Sequence, residues 1–281
     1  MIALGIIGDG HHAQALRAHG APLGEIRLVD PPGRDWRDIA TDTALAAVLV
    51  DLPDAAGLAA IGAALGAGKT VISAPCPARS SAELAGLHAA AKSGGGILLP
   101  GGELTHGEAA RRGLAVVAGA EFGALTSLYI AIRQPRGRGD VLDDLAPEAI
   151  GFITAAIADD FPSVRVNAGG LFGGGRDSAV ILLRSAGNVV VTVELAKCLP
   201  ASLPAPGLGE IEIEAIGTNQ AIRITPLDSA VRVHRDDGIG MRPWLDAAVL
   251  AMLGEVAAPP DGGLERAARN AGLFSAIRAA A

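Results

Sequence analysis

The residues best placed for chemistry begin right after the first apolar run, Ile2 to Ile7, in Gly8-Asp9-Gly10-His11-His12-Ala13. A helix-compatible stretch follows, then a second apolar run that ends in Asp30. Strand, glycine turn, helix, strand and acid, in that order, describe a dinucleotide-binding unit, with Ala13 in the third small position. Gly8 permits the tight turn. Gly10 has no side chain, so a pyrophosphate can approach the helix N-terminus, where free N–H groups and the dipole favour anions. Asp30 lies where a carboxylate accepts hydrogen bonds from the adenosine ribose, which favours NAD, while Arg34 leaves room for NADP. Asp9 speaks for another reading. It puts a carboxylate into the phosphate turn, tolerable only with its side chain turned away, and a turn that merely packs tightly would bind nothing. His11 and His12 border the same pyrophosphate, and one of them is as well explained by a solvent-facing helix start.

Other groups stand further along. His106, in Gly101-Gly102-Glu103-Leu104-Thr105-His106, follows the fifth strand, at the carboxyl edge where α/β sheets bind ligands. Arg133, Arg136 and Arg138 cluster in Arg-Gln-Pro-Arg-Gly-Arg-Gly-Asp; guanidinium forks suit a carboxylate or phosphate, and solvated loop charges are the plainer alternative. Cys76 has a nucleophile's chemistry, but neither a His nor a charge stands near it in sequence, so buried filler is the better account. Lys197, at a strand end, is a weaker candidate for binding or proton transfer.

The chain that must position these groups has 281 residues, half of them apolar and 19% charged, enough for one large or two medium domains with proper cores. A net charge of −7 and a pI near 5.4 argue against nucleic acid or an anionic membrane as partner. No apolar run approaches the roughly 18 residues that span a bilayer. The first residues lack a basic region before their short strand, as a signal peptide would need. Two cysteines, Cys76 and Cys198, without metal-ligand spacing suit a reducing cytoplasm, and no metal site is expected. Strand and helix alternate as far as Leu99, which predicts a parallel, doubly wound sheet. The crossover over Asp35 to Ala40 is short, little more than one helical turn. Ser80 is placed to cap a helix with Glu83 reaching back. Gly119 is placed to end the helix over Glu108 to Ala118. A long strand over Leu125 to Arg133 and a helix opened by Pro147 come next. Strands then succeed one another closely from Ala179 to Arg235, and helices over Pro243 to Leu253 and Gly263 to Ala279 close the chain. The expected division is a dinucleotide-binding domain over residues 1–121 and a substrate and oligomerisation domain over residues 122–281. The second is α+β with a largely antiparallel open sheet, its last helices free to pack back on the first.

With both halves laid out, the chain resembles the Gfo/Idh/MocA oxidoreductases over nearly its whole length. The resemblance rests on Gly5-Ile6-Ile7-Gly8-Asp9-Gly10, Gly68-Lys69-Thr70-Val71, Val117-Ala118-Gly119-Ala120-Glu121-Phe122-Gly123, Trp244-Leu245-Asp246 and the final Gly263 to Ile277. It implies a Rossmann domain and a C-terminal α/β domain with an open sheet. It also implies NAD(P)-dependent oxidation of a sugar, cyclitol or polyol, and a homodimer or homotetramer formed through that sheet. The cofactor-binding set it implies adds Leu52, Pro53 and Pro75 to Gly8, Asp9, Gly10, His11, His12 and Asp30; only Pro53 matches the Thr-Pro turn beside the nicotinamide.

Two departures bear on activity. Where the family has Glu-Lys-Pro, this chain has Ala74-Pro75-Cys76-Pro77, with no lysine. Where the family has a His followed by an Asp at a helix start, Glu148 and Gly151 stand, in Asp144-Leu145-Ala146-Pro147-Glu148-Ala149-Ile150-Gly151. Glu148 is the one titratable replacement in place, and it is also an ordinary acid for a first helical turn, where the dipole steadies the carboxylate and weakens it as a base. Lys197 is the lysine that could replace the missing one from elsewhere. The expectation is an NAD(P)-dependent oxidoreductase with a rearranged site for a small polar substrate, with His106, Arg136 and Arg138 as substrate groups. The alternatives are a non-catalytic relative that binds a ligand or partner protein and, more remotely, redox-neutral chemistry on a tightly held cofactor.

Overall fold

The structure is a computed structural model that describes residues 2–19, 26–29, 35–52, 54–137, 139–172, 175–200, 209–225, 230–233 and 262–281. Expectations for Asp30, Arg34, Pro53, Arg138, the His11 side chain and the helix over Pro243 to Leu253 fall outside the described residues. The chain divides into two compact units, Met1–Gly102 with Ala248–Gly272 and Glu103–Ala247 with Leu273–Ala281.

In the first unit, β1 (Ile2–Gly8), β2 (Ile26–Val29), β3 (Ala47–Asp51), β4 (Thr70–Ser73) and β5 (Ile97–Pro100) form a parallel sheet in the order β2-β1-β3-β4-β5. The helices between them are α1 (His11–His19), α2 (Trp36–Thr41), α3 (Asp54–Gly66) and α4 (Ser81–Gly94). The strands are apolar on both faces, as parallel strands covered by helices must be. On one side Leu4, Ile6, Leu49 and Ile72 pack with Ala13 and Leu16 of α1. On the other, Ile7, Val48, Val50 and Val71 pack with Ile39, Ile61, Leu65 and Leu87 of α2, α3 and α4. The order reverses between β1 and β3, so their carboxyl ends flank a crevice of the kind that binds ligands in such sheets.

Local chemistry sets several of these boundaries. Asp35 caps α2, its carboxylate accepting from Arg37 N. Ser80 caps α4 by accepting from Glu83 N at 3.2 Å, and the Glu83 carboxylate reaches back to Arg79 N at 2.6 Å. Gly95 ends α4 at φ 75°. Lys69 is buried ahead of β4, where its ammonium donates to Asp42 O at 2.6 Å and Leu45 O at 2.7 Å. Burial pulls the Lys69 ammonium below its ordinary pKa, against an opposing pull from Asp42.

The second unit begins with α5 (Glu103–His106) and α6 (Glu108–Val117) and continues through β6 (Leu125–Pro135), α7 (Val141–Asp144) and α8 (Ala146–Ala156). Then come β7 (Ser163–Gly169), β8 (Ser178–Arg184), β9 (Val190–Leu199), β10 (Glu210–Gly217), β11 (Ala221–Thr225) and β12 (Ala230–Val233). The last helix, α9 (Gly263–Ala280), belongs to the first unit through Gly272 and to the second from Leu273. The seven strands lie in the order β12-β11-β10-β6-β9-β8-β7, antiparallel except for the β6–β9 pair. Alternation gives the sheet one apolar face: Leu128, Ile130 and Ile132 of β6 are buried together with Val191, Val193 and Leu195 of β9 and Ile211 and Ile213 of β10. Gly113 lets α6 approach the sheet, since a Cβ there would overlap the Ile224 side chain. The other face carries Tyr129, Glu194, Glu212, Glu214 and Arg223, as the Glu–Ile alternation of β10 predicts.

Two expectations are corrected. Gly119 does not end α6; the cap is Ala118, in right-handed helical geometry, and it is Gly123 that takes φ 75°. Strand β7 was missed although Val164 and Val166 alternate with polar residues, and the helices α5 and α7, of four residues each, are too short to show a period. Replacing Lys69 with Met should take the side-chain donor from the buried Leu45 carbonyl, while the Asp42 carbonyl keeps its bond from Leu45 N at 3.0 Å, and lower the unfolding free energy by about 1–3 kcal/mol. Breaking the exposed Arg37–Asp35 pair (3.3 Å) by Arg37→Ala should change it by less than about 0.5 kcal/mol. Denaturant titration reads both, and equal effects would refute the role given to Lys69.

Candidate functional site

Gly8 adopts φ 104°, a conformation open to glycine at little cost, and so turns the chain from β1 into α1. In the sheet Gly8 pairs with Asp51, the last residue of β3. A Cβ on Gly8 would overlap the Asp51 carbonyl, and a Cβ on Gly10 would overlap the Asp51 carboxylate. That carboxylate accepts from Ala13 N, in the first turn of α1, at 3.0 Å. Gly10 N donates to Asp51 O at 3.4 Å. The Asp9 carbonyl accepts from the Gln14 side chain at 2.7 Å, and the Gly8 carbonyl accepts from Arg17 at 2.9 Å. His12 is buried, so the solvent-facing account does not hold for it.

The backbone of this turn has the shape that a diphosphate needs. In charge it does not fit one as it stands, because a carboxylate already holds a first-turn N–H and fills the space beside Gly10. Asp51 was passed over in the sequence, where it reads as a strand end before a Leu-Pro turn; an acid closing the strand paired with the glycine turn was the available signal. Of the other cofactor positions, Leu52 is half-buried against the first unit's core and Pro75 is buried. Pro75 O accepts from the buried Asn270 side chain at 2.5 Å, and Cys76 Sγ lies 3.8 Å from Asn270 O. The Ala-Pro-Cys-Pro segment is thus tied to α9, and Cys76 is half-buried.

In the second unit α5 packs on α8. Glu148, in the first turn of α8, is buried, and its carboxylate accepts from Leu104 N at 3.1 Å, which satisfies an end group of α5. Glu103 and His106 are buried on the same short helix, and the His106 ring lies 2.8 Å from the Thr105 hydroxyl. Lys197 is buried at the end of β9 and pairs with Asp144 of α7. Gly139 lies against this pair at φ 103°, where a Cβ would overlap the Asp144 carboxylate. Arg136 is exposed, and its guanidinium stacks on the Phe172 ring, 4.1 Å from the centroid. Arg133 pairs with Glu194 at 3.0 Å, and Glu194 also accepts from the Tyr129 hydroxyl at 2.9 Å. Among the described residues no cluster of three or more His, Cys, Asp or Glu could hold a metal ion, and no helix is long and apolar enough to cross a membrane.

Two acids organise the loops around Lys197. Asp177 accepts from Leu171 N at 2.6 Å and Phe172 N at 2.7 Å. The Leu171 N–H holds its carboxyl below the usual value, with the Phe172 N–H adding to this against the opposite pull of burial. Asp140 caps α7 through Leu142 N at 2.9 Å and meets Arg176 and Arg278. Burial alone would raise Asp140, but the Leu142 N–H and Arg176 bring it below the ordinary carboxylate range. A carboxylate whose folded pKa is depressed adds stability that is complete above its unfolded value and fades as pH falls through the folded one. Asp177→Asn should therefore melt below wild type at neutral pH, and the two should converge as pH falls below 3.8. A gap in melting temperature that ignores pH would contradict this account.

Comparison with known proteins bears on the fold. No protein-family model matches the chain, and no curated protein matches it. Among solved structures it is similar to an NAD binding oxidoreductase from Klebsiella pneumoniae, at 16% identity and TM-score 0.79 over 99% of this chain and 96% of that one. It is similar to GenD2 from gentamicin A biosynthesis, solved in complex with NAD, at 18% identity and TM-score 0.77 over 99% and 93%. It is also similar to the UDP-N-acetylglucosamine 3-dehydrogenase GnnA from Acidithiobacillus ferrooxidans, at 15% identity and TM-score 0.78 over 99% and 97%. At these identities the likeness is one of fold: a parallel sheet followed by a mixed, mostly antiparallel one, as the family resemblance implies.

Proposed function

We propose that this chain is an NAD(P)-dependent oxidoreductase of the Gfo/Idh/MocA type, acting on a small sugar, polyol or acidic substrate with an atypical set of proton-handling residues. The observation that carries the reading is a likeness in fold to NAD-binding and sugar dehydrogenases that runs through both units of the chain. The glycine turn at the β1/β3 switch point supports it, since Gly8 holds the backbone shape that presents helix N–H groups to phosphate. In this reading Asp30 meets the ribose and favours NAD over NADP, and Leu52, Pro53 and Pro75 line the nicotinamide side. Glu148 and Lys197 are the candidates to take or hold a proton, and His106, Arg136 and Arg138 the candidates to orient the substrate. The mixed face of the second sheet, with Val180 and Leu182 exposed on β8, is the surface proposed for a homodimer or homotetramer. The cytoplasm is the proposed location.

A second reading, a non-catalytic relative that binds a ligand or a partner protein, is favoured by two contacts. Asp51 already holds Ala13 N, and Glu148 already serves Leu104 N. Calorimetric titration of the full chain with NADH and NADPH separates the two. The first reading expects a binding isotherm at millimolar cofactor, tighter for NADH; an absence of heat and of thermal shift for both would abandon it for the second. Where turnover is found, Glu148→Gln should lower it by at least about tenfold with cofactor affinity retained, the usual scale for a lost general base. Unchanged turnover would remove Glu148 from the chemistry.

A further inference from the structure

We infer that Asp51 is an internal anion that occupies the phosphate turn, so that a dinucleotide binds only by displacing its carboxylate from the first turn of α1. The inference rests on the reading above that this turn faces a dinucleotide.

The two fingerprint glycines are explained here without any ligand. Gly8 and Gly10 would each, given a Cβ, overlap Asp51, the first at its carbonyl and the second at its carboxylate. The space beside Gly10, which the glycine pattern reserves for a pyrophosphate, is taken by a side chain of this chain. One of the helix N–H groups that an anion would seek is also taken, since Ala13 N donates to Asp51 Oδ2 at 3.0 Å. The pairing of Gly8 with Asp51 and the contact of Gly10 N with Asp51 O hold the backbone of Asp51 beside the turn. A cation at the turn, Arg17, has its guanidinium donating to the Gly8 carbonyl at 2.9 Å. A bound diphosphate would bring further negative charge against the Asp51 carboxylate in a half-buried crevice, where like charges repel more than in bulk water. Its binding therefore requires the carboxylate to leave Ala13 N, and the affinity is lowered by the cost of that step.

The test compares wild type, Asp51→Ala and Asp51→Asn in full-length protein, with NADH affinity measured by calorimetry and melting temperature measured without ligand. Asp51→Asn keeps the shape and an acceptor for Ala13 N while removing the charge, so it covers the case in which Asp51→Ala fails to fold. Displacement predicts NADH binding at least about tenfold tighter in Asp51→Ala, with Asp51→Asn between it and wild type, as expected when a like charge is removed from a partly desolvated anion site. If wild type binds NADH within about twofold of both variants, the inference falls and the proposed function stands. If the variants bind and wild type does not, the inference holds and the native chain is the non-catalytic relative. If none of the three binds NADH, the inference and the cofactor reading fall together.

Discussion

The first unit depends on the parallel pairing of β1 with β3, which sets Gly8 against Asp51 at the carboxyl edge of the sheet. The reversal of strand order at this pair opens the crevice in which an α/β sheet of this kind binds its ligand. It also fixes what lines that crevice: the glycine turn from one strand and an acid from the other. The positive φ of Gly8, the bare Gly10 and the first-turn N–H of Ala13 are all engaged by this one residue of the neighbouring strand. A turn whose backbone suits an anion has thereby been given an anion of its own.

The same economy appears in the second unit. Polar residues with a catalytic type are held there by structural partners. Glu148 serves a helix end, Lys197 is paired with Asp144, Arg133 with Glu194, and Arg136 lies over an aromatic ring. Buried polar groups must find partners, because an unpaired one costs more than a typical hydrogen bond returns. Engagement of this kind does not remove a residue from chemistry, but any proton transfer by Glu148 or Lys197 would have to compete with the partner it already has.

The resemblance in sequence and the likeness in fold concern different levels of the molecule. A two-sheet architecture persists at identities of 15–18% because it is specified by burial pattern, strand order and helix placement, which many sequences satisfy. A site is specified by a few side chains, and at the two segments that the sequence resemblance sets against the family's lysine and histidine motifs this chain has Ala-Pro-Cys-Pro, tied to Asn270, and Glu148, which serves a helix end. The proposal of a rearranged site rests on those two segments, not on the likeness in fold.

Much of the fold was determined by the sequence alone. Alternating apolar strands and helices specified the first sheet, the Glu–Ile alternation of β10 specified a face, and Ser80 with Glu83 specified the start of α4, because these signals are local and repeat with the period of the element. The tight turn at Gly8 was likewise legible, and the structure adds its positive φ. Helices α5 and α7 were not legible, since four-residue elements are set by what they pack against, and the edge strand β7 was missed despite its alternating Val164 and Val166. What only the tertiary structure decided is the occupant of the turn. Asp51 stands 41 residues beyond Gly10, and its place at a strand end signals its role only once that strand is known to pair with the glycine turn. It meets the turn because β3 adds beside β1 in one register, and a one-residue shift of that register would have turned its carboxylate to the other face.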